Sequence, residues 1–128
     1  MTRVEIEVEA VVNPTESAEK VERAVRNVLG DMDLDCSARG GVTVLRGRLE
    51  GVESLRHLRG LLRRMRIRDA ARAFLSRNVR GNVLSFGLNR QAAFSRRVSF
   101  YNAMEAPLGP IQITVRGDAD GAIRYLCD

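Results

Sequence analysis

The sequence predicts an α+β domain in which helices pack on one face of an antiparallel sheet, and three observations lead to this fold class. Residues 4–12 alternate apolar and mostly acidic side chains, which is typical of a half-buried strand. Residues 39–41 (Arg-Gly-Gly) separate two short apolar segments, as the turn of a hairpin does. Residues 52–76 change to the helical period. Hairpins with helices segregated from them favour a two-layer α+β architecture.

The first strand, over residues 3–12, is followed by a predicted helix. Asn13 can cap this helix, Pro14 suits its first position and Glu16 completes a capping box, with Thr15 as the competing cap. Apolar residues then recur at helical spacing, and Gly30 ends the helix. We therefore expect the helix to begin near residue 13.

The middle of the chain is predicted to form a hairpin and then either two helices or one bent helix. Residues 34–36 begin a short strand, and residues 42–48 return as its partner. The helical region carries two stripes about 100° apart, since each arginine follows an apolar residue. The apolar stripe is Leu55, Leu58, Leu62 and Met65, and the basic stripe is Arg56, Arg59, Arg63 and Arg66.

The last third of the chain is predicted to be mostly strands. The predicted segments are a break at 78–81, strands at 83–86 and 98–100 with a loop or a single helical turn at 89–94 between them, a break at 106–110, and a strand at 111–115. A short C-terminal segment with Ile123, Tyr125 and Leu126 completes the chain. No repeat or linker composition divides the sequence, so we treat residues 1–128 as one domain.

The positive charge is concentrated in one block. The net charge of +5 is made of +11 over residues 54–104, −4 over residues 1–53 and −2 over residues 105–128. Between Arg56 and Arg97 there are twelve of the twenty arginines and a single acid, Asp69. Pairs of opposite charge at i+4 spacing therefore cannot neutralise this block. A cationic surface with so few acids favours a polyanionic ligand, and RNA is the first candidate.

Two groups of side chains are the candidate RNA contacts. The first is the basic stripe, whose arginines would grip phosphates. The second lies in residues 89–97 and comprises Asn89, Arg90, Gln91, Arg96 and Arg97. Amide and guanidinium groups hydrogen-bond base edges, phosphates or the 2′-hydroxyl. The alternatives are that Asn89 caps a turn and Gln91 holds the loop, and that the acids Glu5, Glu7 and Glu9 pair with the block in space.

The sequence predicts neither catalysis nor a metal or cofactor. His57, the sole histidine, lies among arginines, and no HExxH, GxSxG or paired-cysteine zinc motif occurs. Cys36 and Cys127 are far apart in sequence and are expected to be reduced thiols of a cytoplasmic protein. The sequence contains no run of eighteen apolar residues, so it predicts no membrane span. The alternative to an RNA binder is a protein-interaction module, or a homodimer, whose basic block meets an acidic protein surface.

Four short motifs resemble a small archaeal family of uncharacterised conserved proteins, UPF family two-zero-one. They are residues 12–16 (Val-Asn-Pro-Thr-Glu), 68–72 (Arg-Asp-Ala-Ala-Arg), 88–93 (Leu-Asn-Arg-Gln-Ala-Ala) and 107–111 (Pro-Leu-Gly-Pro-Ile). That family is similar in fold to the ribosomal large-subunit protein that binds 5S rRNA, and is grouped with predicted RNA-binding proteins. The resemblance implies an antiparallel sheet with helices on one side. Where the family is expected to carry lysine this chain has Arg90, which keeps the charge but need not keep the contact geometry.

Overall fold

The computed structural model describes residues 3–102, 104 and 108–128, and these residues form six strands, five α-helices and one 3₁₀ turn. The elements are β1 (Glu5–Val12), α1 (Ala18–Leu29), β2 (Asp35–Arg39), β3 (Val42–Glu50), the 3₁₀ turn (Val52–Leu55), α2 (Arg56–Arg64), α3 (Arg68–Ser76), β4 (Val79–Arg80), β5 (Val83–Asn89), α4 (Arg90–Phe94), β6 (Pro110–Arg116) and α5 (Ala119–Cys127). The predicted α+β class is confirmed.

The six strands form one antiparallel sheet in the order β2-β3-β1-β6-β5-β4. Strand β1 lies near its middle, because it pairs with β3 on one side and with β6 on the other. Ile6, for example, is opposite Leu49 of β3 and Val115 of β6. The predicted hairpin is present as β2 and β3, in which Arg39 is paired with Val42 across Gly40 and Gly41.

The two faces of the sheet have opposite characters. Ile6, Val8 and Ala10 of β1 are buried, whereas Glu5 and Glu9 are exposed. The buried side chains form one core with apolar residues from the helices, including Val25, Leu58, Leu75 and Leu126. Each fully buried aliphatic side chain of this kind stabilises the fold by about 1.5–3 kcal/mol. The helices therefore cover one face of the sheet and leave the acidic face of β1 open.

Helix α1 begins at Ala18 after Ser17, so the prediction that it begins near residue 13 is wrong. The Asn13–Glu16 contact itself exists: the Glu16 carboxylate accepts hydrogen bonds from the Asn13 main-chain N–H at 3.0 Å and from Asn13 Nδ2 at 2.7 Å. The main-chain N–H of Glu16 donates back to the Asn13 carbonyl at 2.9 Å. The capping signal therefore closes a turn that precedes the helix.

The structure departs from prediction at further places. The predicted break at 78–81 contains the short strand β4, which pairs with β5. The segment over residues 98–100 is not a strand, and only an isolated bridge joins Leu88 to Phe100. The C-terminal segment, for which the sequence pattern predicts no helix, forms the helix α5. Asp118 caps this helix by accepting a 2.9 Å hydrogen bond from the Gly121 N–H. Of the predicted break at 106–110, residues 106 and 107 lie outside the described residues, and β6 begins at Pro110.

Candidate nucleic-acid interface

Helix α2 separates apolar from basic side chains around its circumference. Leu58, Leu61 and Leu62 are buried in the core. Residues on the opposite side face solvent, because the helix repeats every 3.6 residues. Arg56, Arg63 and Arg64 are exposed there. Of these, Arg63 donates a long hydrogen bond of 3.4 Å to the main-chain oxygen of Asp128.

Arg59 differs from the other arginines of α2 because it is partly buried. Its guanidinium carbon lies 5.1 Å from the centroid of the Tyr125 ring in α5, which is a cation–π contact. The buried Nε of Arg59 has no hydrogen-bond partner among the described residues. Arg59 thus joins α2 to α5, and the predicted basic stripe does not present its four arginines equally.

Arg66 lies beyond the end of α2 in a left-handed backbone conformation, with φ of 58°. Its N–H donates to the carbonyl of Arg63, and the next N–H, of Ile67, donates to the carbonyl of Leu62, both at 3.2 Å. These two bonds define a Schellman motif, in which glycine usually takes the left-handed position. A residue with a side chain in that position costs about 1–2 kcal/mol.

The same motif occurs at the end of α4. Arg96 also has φ of 58°, its N–H donates to the carbonyl of Ala93 at 3.0 Å, and the N–H of Arg97 donates to that of Ala92 at 3.0 Å. Arg66 and Arg96 are the only residues other than glycine with positive φ in the part of the chain that the structure describes. Two helix ends thus carry arginine where glycine is favoured.

A hydrogen bond brings these two helix ends together. The N–H of Val98 donates to the sulfur of Met65 at 3.2 Å. Arg66 directly follows Met65, and Arg97 directly precedes Val98, so the turns that hold Arg66 and Arg96 are neighbours. Thirty residues of sequence separate the two arginines, yet the fold brings their backbones to one surface.

Asn27 of α1 connects α4 to the start of α2. Its side-chain amide donates to the carbonyls of Ala93 at 3.0 Å and Phe94 at 3.3 Å. Its own main-chain carbonyl lies 2.8 Å from Nε2 of the exposed His57. A carbonyl can only accept, so the Nε2–H of His57 must donate. We name the surface formed by α2 and the α4 turn the arginine face; its members are Arg56, Arg63, Arg64, Arg66, Arg96 and Arg97.

Asn89 and Gln91 have different surroundings. The side-chain oxygen of Asn89 accepts hydrogen bonds from the N–H groups of Gln91 at 2.9 Å and Ala92 at 3.0 Å, so Asn89 caps α4. Asn89 therefore has the capping role that was the alternative to a direct RNA contact. The Gln91 side chain is exposed beside the arginine face.

Arg90 does not face solvent, which corrects the expectation that it contacts a ligand directly. The residue is only 2% exposed. Its guanidinium donates to the Glu16 carboxylate at 2.7 Å and to the carbonyls of Val11, Gly109 and Pro110 at 2.6, 3.1 and 3.2 Å. Burial raises the pKa of Glu16, but hydrogen bonds from Asn13 and the charge of Arg90 outweigh it, and the pKa is lowered.

The acids of β1 do not neutralise the arginine block. Glu7 pairs with Arg48 at 3.4 Å and with Arg116 at 3.1 Å, and Glu9 pairs with Arg46 at 3.1 Å, all on the open face of the sheet. Among the described residues, only two of the twelve block arginines form an ion pair. They are Arg72, which pairs with Asp128 at 2.7 Å, and Arg90.

The described residues contain no cluster of three His, Cys, Asp or Glu side chains that could hold a metal ion. Both cysteines are free: Cys36 is exposed and Cys127 is buried. Burial raises the pKa of the Cys127 thiol, and the nearby Arg72 offsets part of that rise. None of the helices in the described part of the chain combines the length and apolar character needed to cross a bilayer.

Comparison with known proteins places the chain in a family. A family model described as RNA binding matches residues 5–117. The UPF0201 protein of Thermococcus onnurineus is 40% identical over 112 residues, which are 88% of this chain and 82% of that protein. The UPF0201 protein of Sulfurisphaera tokodaii is 40% identical over 116 residues, or 90% and 79% of the two chains.

The fold is shared with solved structures as well. The crystal structure of the UPF0201 protein from Methanococcus jannaschii superimposes with a TM-score of 0.86 at 28% identity, and covers 97% of this chain and 99% of that one. The similarity to the ribosomal protein that binds 5S rRNA stays a prediction. Sequence and fold agree, and this chain belongs to the archaeal UPF0201 family.

Proposed function

We propose that this protein binds RNA through the arginine face and does so without catalysis. One observation carries the proposal: ten of the twelve block arginines have no ion-pair partner among the described residues, while the acids of β1 pair with other arginines on the far face of the sheet. A cationic surface left uncompensated in this way attracts a polyanion. The family description supports RNA among polyanions.

The members of the arginine face have different roles in this proposal. Arg56 and Arg63 hold phosphates along α2, since a guanidinium group presents a planar fork that matches phosphate oxygens. Arg66 and Arg96 hold further phosphates at the two neighbouring turns. Gln91 reaches a base edge or a 2′-hydroxyl, because its amide both donates and accepts. An RNA ligand is met in the cytoplasm, where we expect the protein to act.

The two left-handed arginines support the proposal independently of charge. A glycine at position 66 or 96 would relieve backbone strain. Arginine at both positions is therefore unfavourable for folding, although each side chain lies at the surface. Strained backbone at neighbouring surface positions is typical of functional sites. Phosphate contacts made by both side chains would explain the strain.

A pair of triple variants tests the proposal. The first, Arg56→Gln with Arg63→Gln and Arg66→Gln, removes three charges from the arginine face. The second, Arg3→Gln with Arg46→Gln and Arg48→Gln, removes three arginines that lie away from α2 and pair with glutamates of β1 and β3. Both lower the net charge from +5 to +2. They differ in where the charge is lost and in that the second variant also removes the partners of Glu50, Glu9 and Glu7. Arg59 is left intact because its contact with Tyr125 contributes to packing.

The binding of a structured RNA is measured by fluorescence anisotropy over a range of salt concentrations. We expect the first variant to lose affinity and to flatten the logarithmic salt dependence by about two to three units, as three phosphate contacts require. We expect the control variant to keep the wild-type salt slope. Equal losses in the two variants would mean that net charge alone attracts RNA, and would overturn the assignment to the arginine face.

A further inference from the structure

A groove of about 550 Å³ lies beside α2, between that helix and the end of α1. Arg56, His57, Gly60 and Arg64 of α2 line one side, and Asp31 lies on the other. The groove thus contains two guanidinium groups and one carboxylate. It opens next to the arginine face, because Arg56 and Arg64 belong to both.

No contact within the chain explains why residue 60, at the centre of α2, is a glycine. Glycine in a helix interior destabilises it relative to almost any other residue. Some glycines of this protein are required: Gly30 has φ of 85°, and a side chain at Gly47 would collide with Met32. At Gly60, by contrast, an added Cβ would meet no atom within 4 Å, and the backbone is helical. Neither packing nor backbone conformation calls for glycine at position 60.

The neighbours of Gly60 indicate what approaches it. Residues four apart lie on the same side of a helix, about 6 Å from one to the next along its axis. Arg56, Gly60 and Arg64 therefore form a row in which two guanidinium groups flank a stretch of bare backbone. Glycine is used where another chain or ligand must come close to the main chain.

We propose that phosphate groups of the bound RNA enter this groove at Gly60, where the missing side chain lets the nucleic acid strand lie against α2 between Arg56 and Arg64. The inference rests on the proposed function and adds a specific position to it. Asp31 repels phosphate from the α1 side of the groove and so favours the α2 side. His57, whose Nε2–H is engaged by the Asn27 carbonyl, forms part of the groove wall.

The test fills the groove without changing any charge. In Gly60→Gln the new side chain occupies the space between the two arginines, and helix propensity improves. We expect its melting temperature to rise by roughly 3 °C, while its affinity for RNA falls by about tenfold. Ala73→Gln is the matched control, since it adds the same amide side chain to an exposed position of α3. We expect the control to bind as the wild type does.

Each variant is measured with one oligoribonucleotide carrying either a 5′-hydroxyl or a 5′-phosphate. Equal losses for Gly60→Gln on both RNAs support a phosphate of the backbone, and a loss confined to the phosphorylated RNA supports a terminal phosphate. If the wild type binds RNA and Gly60→Gln binds it with unchanged affinity, the proposed role of the groove is wrong and the proposed function still stands. A wild-type protein that binds neither RNA would overturn both.

Discussion

The guanidinium of Arg90 and the carboxylate of Glu16 form a buried ion pair at 2.7 Å across 74 residues of sequence. Arg90 begins α4, and Glu16 lies in the turn between β1 and α1. The same guanidinium donates to main-chain carbonyls of Val11 and of the segment that leads into β6. One side chain thus ties α4, whose end carries Arg96 and Arg97, to the end of β1, to the turn after it and to the start of β6. A buried charge is stable only when it is satisfied in this way.

Replacing Arg90 should destabilise the fold rather than only weaken RNA binding. Arg90→Met leaves the Glu16 carboxylate buried without its cation, and loss of one partner of such a pair costs about 3–5 kcal/mol. Urea denaturation measures this loss. Arg97→Met is the control, since Arg97 is exposed, and its free energy of unfolding should change by no more than about 0.5 kcal/mol. A stable Arg90→Met variant would contradict the structural role.

The lowered pKa of Glu16 predicts how stability depends on pH. Because this pKa lies below the ordinary value of 4.5, the unfolded chain binds the proton before the folded chain does as the pH falls. The stability that Glu16 contributes is therefore complete above about pH 4.5, and is lost as the pH falls through the folded pKa. We expect Glu16→Gln to be less stable than wild type at pH 7 and to depend less on pH below about 4.5.

The control for this experiment is Glu19→Gln, which removes an exposed carboxylate from α1 that forms no ion pair among the described residues. Free energies of unfolding are measured by urea denaturation between about pH 3 and 7, the range that spans the titration of carboxylates. If wild type and Glu16→Gln show the same pH dependence, Glu16 has no stabilising partner in solution.

Glycine at the two left-handed positions should separate stability from binding. In Arg66→Gly with Arg96→Gly both strained residues are relaxed, and we expect the melting temperature to rise, by an amount equivalent to about 1 kcal/mol at each position. RNA affinity should fall, because two phosphate contacts are lost. The variant Arg66→Lys with Arg96→Lys keeps both charges and the strain, and should retain most of the affinity. A glycine variant that binds RNA as tightly as wild type would remove both turns from the interface.

The interaction-module alternative makes its own prediction about self-association. It requires an acidic surface to meet the arginine face of a second copy. The acids of β1 are poor candidates, since Glu7 and Glu9 already pair with neighbouring arginines. We expect light scattering to give the same mass at low and at moderate salt in the absence of RNA. A dimer that forms at low salt and dissociates as salt is added would favour the interaction module.

The sequence predicted most of the sheet and core because they follow periodic patterns. Alternation in residues 4–12 corresponds to β1. Of the predicted apolar stripe, Leu55, Leu58 and Leu62 are buried as their spacing requires, and Met65 is partly buried. Helix α5 was missed because Gly121 in its first turn weakens the helical signal. Its capping residue, Asp118, was the signal available. Branched and aromatic side chains at residues 98–100 favour a strand. In the structure this segment pairs with β5 only through one isolated bridge, between Leu88 and Phe100.

The candidate site was harder to predict because its geometry is not periodic. Arg90 resembles its exposed neighbours in sequence, and its burial depends on Glu16, which no local pattern connects to it. Nor can sequence show a left-handed arginine, because glycine is the residue that marks such positions. Gly60 was the one local anomaly that could have been noticed, since a glycine interrupts an otherwise strong helical pattern. The clustering of charge along the chain predicts a basic surface. It does not predict which of the arginines are exposed and free to bind a ligand.

The most direct test is the affinity of the wild-type protein for a structured RNA, a single-stranded RNA and a DNA duplex, measured by fluorescence anisotropy from about 50 to 300 mM salt, where counterion release dominates. We predict that one of the RNAs is bound in preference to the DNA duplex, and that this preference survives at moderate salt. Equal binding to all three that vanishes as salt rises would reduce the arginine face to a non-specific cationic surface. No binding at about 50 mM salt would contradict an RNA-binding role.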